Sequence, residues 1–206
     1  MVRRRRLLAG APAALALGFG SGCLGVINGD GLSFEASGAR TEPTGGYEFA
    51  NSRPSTLERQ VAGRTVTVTN HVATYEKTLE VPGVGESKLG AFALVASPDV
   101  EVAGESLNPI GTFDNARLVE EFAANYGGIE SPKPAGSTTV RMLGSDVEVS
   151  KYTATTTYEG VEVDVAVHVG KVRHEGDYVV ALGVYPTRFD EAETVHAMVE
   201  SVSHPA

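Results

Sequence analysis

The sequence predicts an α+β fold in which two amphipathic helices pack on a single antiparallel sheet. Three observations lead to this prediction. Several segments alternate apolar and polar residues with the period of two that half-buried strands show. The last four of these segments are joined by short turns, which is typical of an antiparallel meander. Two other segments place apolar residues at helical spacing, and this element order indicates helices covering one sheet.

Chain length and composition predict one folded domain over residues 47–206. The chain has 206 residues, and the roughly 160 that follow residue 46 suffice for one core. Residues 23–46 are rich in Gly, Ser, Thr, Asp and Glu and contain few aliphatic residues. We therefore expect a flexible tether there, whose segment LSFEAS can pair as a first strand.

The first part of the domain contains two strong strand signals. In RTVTVTNHVATYEKTLEV, Val66 and Val68 fall on one side while Thr67 and Thr69 fall on the other. Valine and threonine both favour strands because their branched side chains pack well on a pleated surface. The segment GAFALVAS is nearly continuously apolar, which predicts a buried strand.

The meander is predicted over residues 137–186. The pattern breaks at Gly144–Ser145, at Glu159–Gly160 and at residues 175–177, leaving four strands joined by short turns. On the third of these strands, alternate valines are expected to face inward, namely Val161, Val163, Val165, Val167 and Val169. The intervening Glu162, Asp164 and His168 are expected on the opposite, exposed side.

Two helices complete the predicted fold. Residues 115–126 carry an apolar stripe, and the glycines at 127 and 128 end it. Residues 191–202 carry a second stripe, and Asp190 with Glu193 predicts a capping box at its start. The order of elements is similar to that of PsbP-type and LpqN-type sandwiches, a resemblance that implies no function.

The first residues have the pattern of an export signal. Arg3, Arg4, Arg5 and Arg6 precede an uncharged run of 13 residues from Leu7 to Phe19. A helix of that length reaches about 20 Å, which is short of the roughly 30 Å hydrocarbon core of a membrane. The paired arginines fit a twin-arginine signal, which exports folded proteins.

Cys23 is the predicted lipid attachment site. It is the only cysteine of the chain and follows three small residues, Gly20 to Gly22. This pattern looks like a lipobox, in which residues 1–22 are removed and the cysteine sulfur carries the lipid. The prediction therefore places the protein on the extracytoplasmic face of the cell membrane, with the membrane as its first partner. The alternative is a free cysteine inside an uncleaved leader.

The composition beyond the leader is acidic and poor in lysine. Removal of residues 1–22 takes the formal charge from -9 to about -13, and in the whole chain arginine outnumbers lysine twelve to five. Such a surface fits a high-salt environment, where charges are screened over about 3 Å at 1 M. It argues against nucleic-acid binding, which requires clustered Lys and Arg.

Leader and body together resemble a known group of proteins. The segments RRRRLLAG and GSGC, followed by an acidic body, are similar to the twin-arginine-exported lipoproteins of haloarchaea. The body segments GGYEFANSRPSTLERQVAGRTVTVTNHVATYEK and NPIGTFDNARLVEEFAANYGG look like one such family of unknown function. The resemblance implies a lipoprotein and carries over no catalytic residue.

The sequence predicts no metal and no cofactor. His168 and His174 lie six residues apart, but zinc sites need three or four convergent ligands, so exposed strand histidines are expected. His71, His196 and His204 have no partner recognisable from spacing. No nucleophile motif and no phosphate-binding glycine loop is present.

One loop has the composition of a ligand groove. SLNPIGTFDN combines amide, carboxylate and aromatic groups and precedes a helix, whose N-terminal amides favour anions. The predicted groove residues are Asn108, Asp114, Tyr126 and Tyr185. The alternative is a scaffold turn held by Asn108 and Pro109.

We therefore expect a non-enzymatic, lipid-anchored binding or envelope-interaction module with an unidentified protein or small-molecule partner. The anchor at Cys23 and the lack of a compact catalytic grouping support this interpretation. Two alternatives stay open. One is an accessory subunit of a membrane redox or transport complex, and the other is a hydrolase or metal enzyme with a dispersed site.

Overall fold

The structure is a computed structural model that describes residues 26–28, 31–61, 63–81, 85–102, 105–126, 128–158 and 160–206. The strands in this part are β1 (Val26–Asn28), β2 (Gly31–Glu35), β3 (Tyr47–Val61), β4 (Arg64–Val81), β5 (Gly85–Pro98), β6 (Glu101–Val102), β7 (Glu105–Ser106), β8 (Glu130–Met142), β9 (Ser145–Tyr158), β10 (Val161–His174) and β11 (Asp177–Pro186). The helices are α1 (Asn115–Tyr126) and α2 (Ala192–Glu200), and a 3-10 turn spans Pro109–Gly111.

The predicted α+β fold is wrong, because the described part of the chain is mostly β. Strands hold 64% of these residues and helices 14%. Nine strands form one sheet, and that sheet is mixed because β2 runs parallel to β4. The comparison with PsbP-type and LpqN-type sandwiches therefore fails as well. The prediction underestimated the strand content of the chain, because β3 and β4 are 15 and 18 residues long.

The sheet is organised around β4. Strand β3 pairs along one side of β4, while β2 and then β5 follow each other along its other side. From β5 the order continues through β11, β10 and β9 to β8, with every neighbour antiparallel. Strand β1 extends the sheet beyond β2, and β6 pairs only with β7.

The predicted meander is confirmed as the strands β8 to β11. Two of its turns place both central residues at positive φ, Leu143 with Gly144 and Glu175 with Gly176. Two successive residues at positive φ are characteristic of the type I′ turn, whose twist matches that of the flanking strands. Local sequence therefore sets the register of this half of the sheet.

Sequence reasoning missed β3 and residues 130–136 of β8, and both strands are edges of the sheet. Strand β3 is exposed along nearly its whole length, and β8 is exposed over most of its own. Edge strands bury little of either face, so they lack the alternation that reveals inner strands. Each also contains proline, Pro54 in β3 and Pro134 in β8, which is tolerated where no neighbouring strand requires the N–H.

Two apolar clusters lie on opposite faces of the central strands. The α1-side cluster consists of Leu118, Val119, Tyr152, Ala154, Val165, Val167, Val169, Val180 and Leu182. The α2-side cluster includes Tyr75, Phe92, Leu94, Met142, Ala166, Tyr185, Val195 and Met198. Successive residues of a strand point to opposite faces, so β10 supplies both clusters. Val165, Val167 and Val169 are buried as predicted, while Val161 is 63% exposed.

The helices differ in how well the sequence placed them. Helix α1 has the predicted bounds, and Asp114 caps it by accepting a hydrogen bond from the Arg117 N–H at 2.8 Å. Helix α2 begins after the predicted start and ends before Val202. Its N-cap is Glu191, which makes no side-chain capping bond, so the capping box predicted from Asp190 is wrong.

Much of the predicted tether lies against the domain. Strand β2 pairs with β4, and Ala36 and Ala39 belong to the α2-side cluster. The hydroxyl of Thr41 donates to the Met198 carbonyl at 2.5 Å, at the end of α2. Residues 31–41 therefore contact the domain, while residues 42–46 are exposed.

The leader lies outside the described residues. This holds for the predicted signal residues Arg3, Arg4, Arg5 and Arg6 and for the predicted lipid site Cys23. In the part of the chain that the structure describes, no helix is both long and apolar enough to cross a membrane.

Candidate binding groove

An apolar groove of about 300 Å³ opens at one end of the sheet. Its walls come from the end of β4, the start of β5, the end of β9, the start of β10 and the end of β11. These strand ends meet because the strands are antiparallel neighbours. The groove is lined by Leu79, Ser87, Lys88, Leu89, Gly90, Ala91, Thr156, Tyr158, Val163, Val165, Val184, Tyr185, Pro186 and Arg188.

The floor of the groove continues the core under α1. Val165 belongs to the α1-side cluster, and Val163 and Val184 pack against it while remaining partly exposed. At the rim, Leu79 is 48% exposed and Tyr158 is 42% exposed. An uncovered extension of a core is a common form of ligand site, because a bound apolar group removes that surface from water.

The charges at the groove are basic. Among the described residues of its lining, the charged ones are Lys88 and Arg188, and both are basic. The Lys88 ammonium is 2.5 Å from Glu76 Oε1 in a partly exposed ion pair. The Arg188 guanidinium lies 5.0 Å from the centre of the Phe189 ring. Among the described residues, Arg188 forms no ion pair, so its charge is free to meet a ligand.

The predicted groove residues do not form one site. Asn108 donates from Nδ2 to Ser97 Oγ at 2.8 Å and to the Pro98 carbonyl at 2.5 Å. Its Oδ1 accepts from the Ile110 N–H at 3.0 Å. Asn108 is thus a buried scaffold residue of the turn, the alternative that the sequence left open. It borders a separate cavity of about 80 Å³ that Leu57 and Leu107 also line.

The other three predicted residues lie in different places. Asp114 caps α1, and the side chain of Tyr126 lies outside what the structure describes. Tyr185 borders the groove, but it packs in the α2-side cluster and its hydroxyl contacts His168. Burial, with the nearby Asp190 and Glu191 carboxylates, raises the pKa of Tyr185 to about 12.

His168 is buried, so the expectation of an exposed strand histidine is wrong. Its Nε2 lies 2.9 Å from the Tyr185 hydroxyl, and the His196 ring centre lies 5.4 Å from its own. Nδ1 has no hydrogen-bond partner among the described residues. Burial, together with the positive charges of His196 and Lys151, lowers the pKa of His168 to about 4. His168 is therefore a neutral core histidine at pH 7.

His174 and His204 form a hydrogen-bonded chain with Asp177. The fully buried Asp177 accepts at Oδ2 from His204 Nε2 at 3.0 Å and from the Ser37 N–H at 2.7 Å. Nδ1 of His204 lies 3.1 Å from Nδ1 of His174. Because a carboxylate only accepts, Nε2 of His204 carries the proton, and its Nδ1 is then free to accept from His174. We call this the Asp177–His204–His174 chain.

The arrangement of these groups does not create a chelating site. Across the described ranges, no group of three His, Cys, Asp or Glu side chains is placed to hold a metal ion. The members of the Asp177–His204–His174 chain bond to one another, and they line neither the 300 Å³ groove nor the 80 Å³ cavity. The groove is the larger of these two cavities, and we take it as the candidate binding site.

The family of the chain follows from residues 36–203, which match the model of a domain of unknown function, DUF6517. The chain belongs to the DUF6517 family. The matched range contains α1, α2, both apolar clusters and the groove. A comparison with curated proteins finds no match.

The groove of this DUF6517 domain was missed because its residues are far apart in sequence. They run from Leu79 to Arg188 and come from five strands and one turn. The one available signal was the turn around Gly160, where Tyr158 and Val161 stand as large apolar residues at a polar bend. An exposed aromatic residue at a turn indicates a binding surface only when other exposed apolar residues lie beside it.

Proposed function

We propose that this chain is a lipid-anchored extracytoplasmic binding module and that the groove binds an apolar small molecule. The observation that carries the proposal is the uncovered apolar floor of Val163, Val165 and Val184 beneath the half-exposed Leu79 and Tyr158. A cavity of about 300 Å³ is at the lower end of the range for small-molecule sites, which supports a small ligand.

The anchor is part of the same proposal. The four arginines, the short apolar run and the small residues before Cys23 support export and lipid attachment. Together with the acidic composition they support membership of a haloarchaeal group of twin-arginine lipoproteins within the DUF6517 family. A lipid on Cys23 would hold the domain at the outer face of the membrane.

The chemistry of the lining favours binding over catalysis as the proposed role. Most of the lining residues are aliphatic, aromatic or proline, and burial of their apolar surface by a ligand is favourable because it removes that surface from water. Lys88, the one amine present, is paired with Glu76. Binding by burial of apolar surface is therefore the activity that these side chains support best.

Binding is tested with Nile red, a neutral apolar dye that fluoresces when removed from water. The full chain carrying Cys23→Ser avoids detergent, which would compete for the groove. We expect saturable binding that Leu79→Gln weakens about three- to tenfold, since a half-exposed leucine adds roughly 1 kcal/mol on burial.

Leu57→Gln is the matched control, because Leu57 is 46% exposed and Leu79 is 48% exposed. Leu57 lines the smaller cavity and not the groove. Absence of saturable binding, or equal weakening by both substitutions, would refute the assignment of the groove.

The anchor is tested separately by cell fractionation. We expect the natural chain in the membrane fraction without residues 1–22, and the Cys23→Ser chain either released or unprocessed. A natural chain found in the cytosol with Met1 in place and an unmodified Cys23 would refute the anchor while leaving the groove untouched.

A further inference from the structure

We propose that the groove takes a free single-chain amphiphile ending in a carboxylate, and that Arg188 binds that carboxylate. This inference rests on the proposed function, because it names the class of apolar ligand that the groove holds. The apolar chain would lie on the floor of Val163, Val165 and Val184, with its charged end at the rim.

Charge is the first argument for a carboxylate. The chain has 26 acidic and 17 basic residues, yet in the part of the lining that the structure describes the charged residues, Lys88 and Arg188, are both basic. The charge of these groove residues is therefore opposite in sign to the net charge of the protein. Cations beside an apolar floor match a ligand that is apolar along its length and anionic at one end.

Arg188 is better suited than Lys88 to receive the carboxylate. Lys88 lies 2.5 Å from Glu76 Oε1, so much of its charge is already neutralised. Arg188 has no carboxylate partner in the described residues, and its guanidinium lies over the Phe189 ring at 5.0 Å. A guanidinium can donate two parallel hydrogen bonds to a carboxylate while its face stays on an aromatic ring.

A free amphiphile fits the groove better than the surface of an anionic membrane does. Surface attachment to anionic lipid relies on clusters of about four to eight Lys or Arg residues, whereas the described residues of this rim include two. The net charge of -9 also opposes contact with an anionic surface. The groove is concave, so a single chain can enter it where a flat bilayer cannot follow.

The chain contains no tryptophan, so Tyr158→Trp adds a single fluorescent reporter at the rim. In the Cys23→Ser chain with this reporter, we would titrate decanoate, decanol and decyltrimethylammonium, which share one apolar chain. We expect decanoate to bind about fivefold more tightly than decanol, the upper range for an exposed ion pair. The cationic probe should bind most weakly.

Variants assign this preference to one residue. Arg188→Gln should bring the decanoate-to-decanol ratio to about one, and Arg188→Lys should retain part of the preference. Arg53→Gln is the matched control, since Arg53 is an exposed arginine of β3 that does not line the groove. Displacement of Nile red from the chain with Tyr158 intact repeats each comparison without the reporter.

The outcomes separate the two proposals. If no probe binds and Nile red is not displaced, the proposed function fails. If decanol and decanoate bind equally, or Arg188→Gln leaves the preference unchanged, the carboxylate inference fails while the apolar groove stands. Tight, Arg188-dependent binding to vesicles of anionic phospholipid with no binding of free decanoate would replace the free amphiphile by a membrane surface.

Discussion

His204 donates a hydrogen bond to the buried carboxylate of Asp177, and this contact connects the segment after α2 to the start of β11. The N–H of Ser37 donates to the same oxygen, Oδ2, at 2.7 Å. Beside it, Arg40 and Ser203 form a backbone bridge. Three segments that are remote in sequence therefore meet at one carboxylate.

We predict that His204→Ala lowers the free energy of unfolding by about 3 kcal/mol, because it removes one partner of a buried charge. Urea unfolding measures the change. The control is His71→Ala. His71 lies 2.9 Å from the largely exposed Glu35, so this substitution should lower the free energy of unfolding by less than about 1 kcal/mol. Equal losses for the two variants would mean that burial of the Asp177 contact contributes nothing.

Stability should fall in acid because of His168. Its pKa is about 4 in the folded chain and about 6.5 when unfolded, so the unfolded state binds more protons between these values. The contribution is fully present above about pH 6.5 and is lost at roughly 1.4 kcal/mol per pH unit down to about pH 4. His168→Phe removes this contribution.

Comparison of pH profiles isolates that contribution from other groups. Burial also lowers the pKa of His196, which adds a slope of the same sign in both proteins. We expect urea unfolding of the His168→Phe chain to lose less stability between about pH 7 and about pH 5 than the natural chain does. Parallel profiles would show that His168 is not neutral in the folded state.

Gly183 allows α2 to lie close to β11. A Cβ at this position would be 2.8 Å from Val195 Cγ1, which is closer than such atoms approach. We predict that Gly183→Ala costs about 1–3 kcal/mol by overpacking. Gly38→Ala is the control, since its nearest atom would be Ala206 Cβ at 3.9 Å.

A double-mutant cycle tests the cause of this loss. If the clash with Val195 is responsible, Gly183→Ala should cost less in a Val195→Ala chain than in the natural one. Thermal or urea unfolding of the four proteins gives the coupling energy. If the effects of the two substitutions on the free energy of unfolding are strictly additive, the loss of stability does not arise from the contact between β11 and α2.

Lys77 and Glu191 form a largely buried ion pair at 2.6 Å between β4 and the start of α2. We predict that Glu191→Ala costs about 3 kcal/mol, because Lys77 then stays buried without a counter-charge. Glu76→Ala, which breaks the more exposed pair with Lys88, should cost under about 1 kcal/mol.

Two measurements complete this test. A Lys77→Met chain with Glu191→Leu should recover most of the stability lost by Glu191→Ala, since paired apolar replacements avoid the buried charge. Unfolding at several salt concentrations should change the Glu76 contribution more than the Glu191 contribution. If salt changes the Glu191 contribution more than the Glu76 contribution, the Lys77–Glu191 pair is solvated.

The predictable part of the fold is the part whose signals are local. Alternating valines and paired turn residues at positive φ predict the meander from residue 137 of β8 to the end of β11. Apolar residues at helical spacing, followed by glycine, predict α1. Strand β3 and residues 130–136 of β8 gave no such signal, because as edge strands they bury little of their side chains. The α+β assignment failed for this reason.

The candidate site was hidden for a different reason. Asn108 has the chemistry of a ligand group, but its Nδ2 donates to Ser97 and to the Pro98 carbonyl, and its Oδ1 accepts from the Ile110 N–H. Arg188 belongs to no sequence motif. It is a candidate ligand-binding residue only because the strand ends that form the groove lie beside it. A side chain's availability depends on its neighbours, which spacing in the sequence does not reveal.

By itself, the amino-acid order determined the inner strands, the turns between them, the bounds of α1 and an acidic composition. These depend on side-chain periodicity and backbone preference over a few residues. Tertiary structure alone decided that His168 is buried, that His204 meets Asp177, and that five strand ends leave an apolar groove. Such relationships arise from pairing between distant segments, where burial and hydrogen bonding are settled only once the whole sheet has formed.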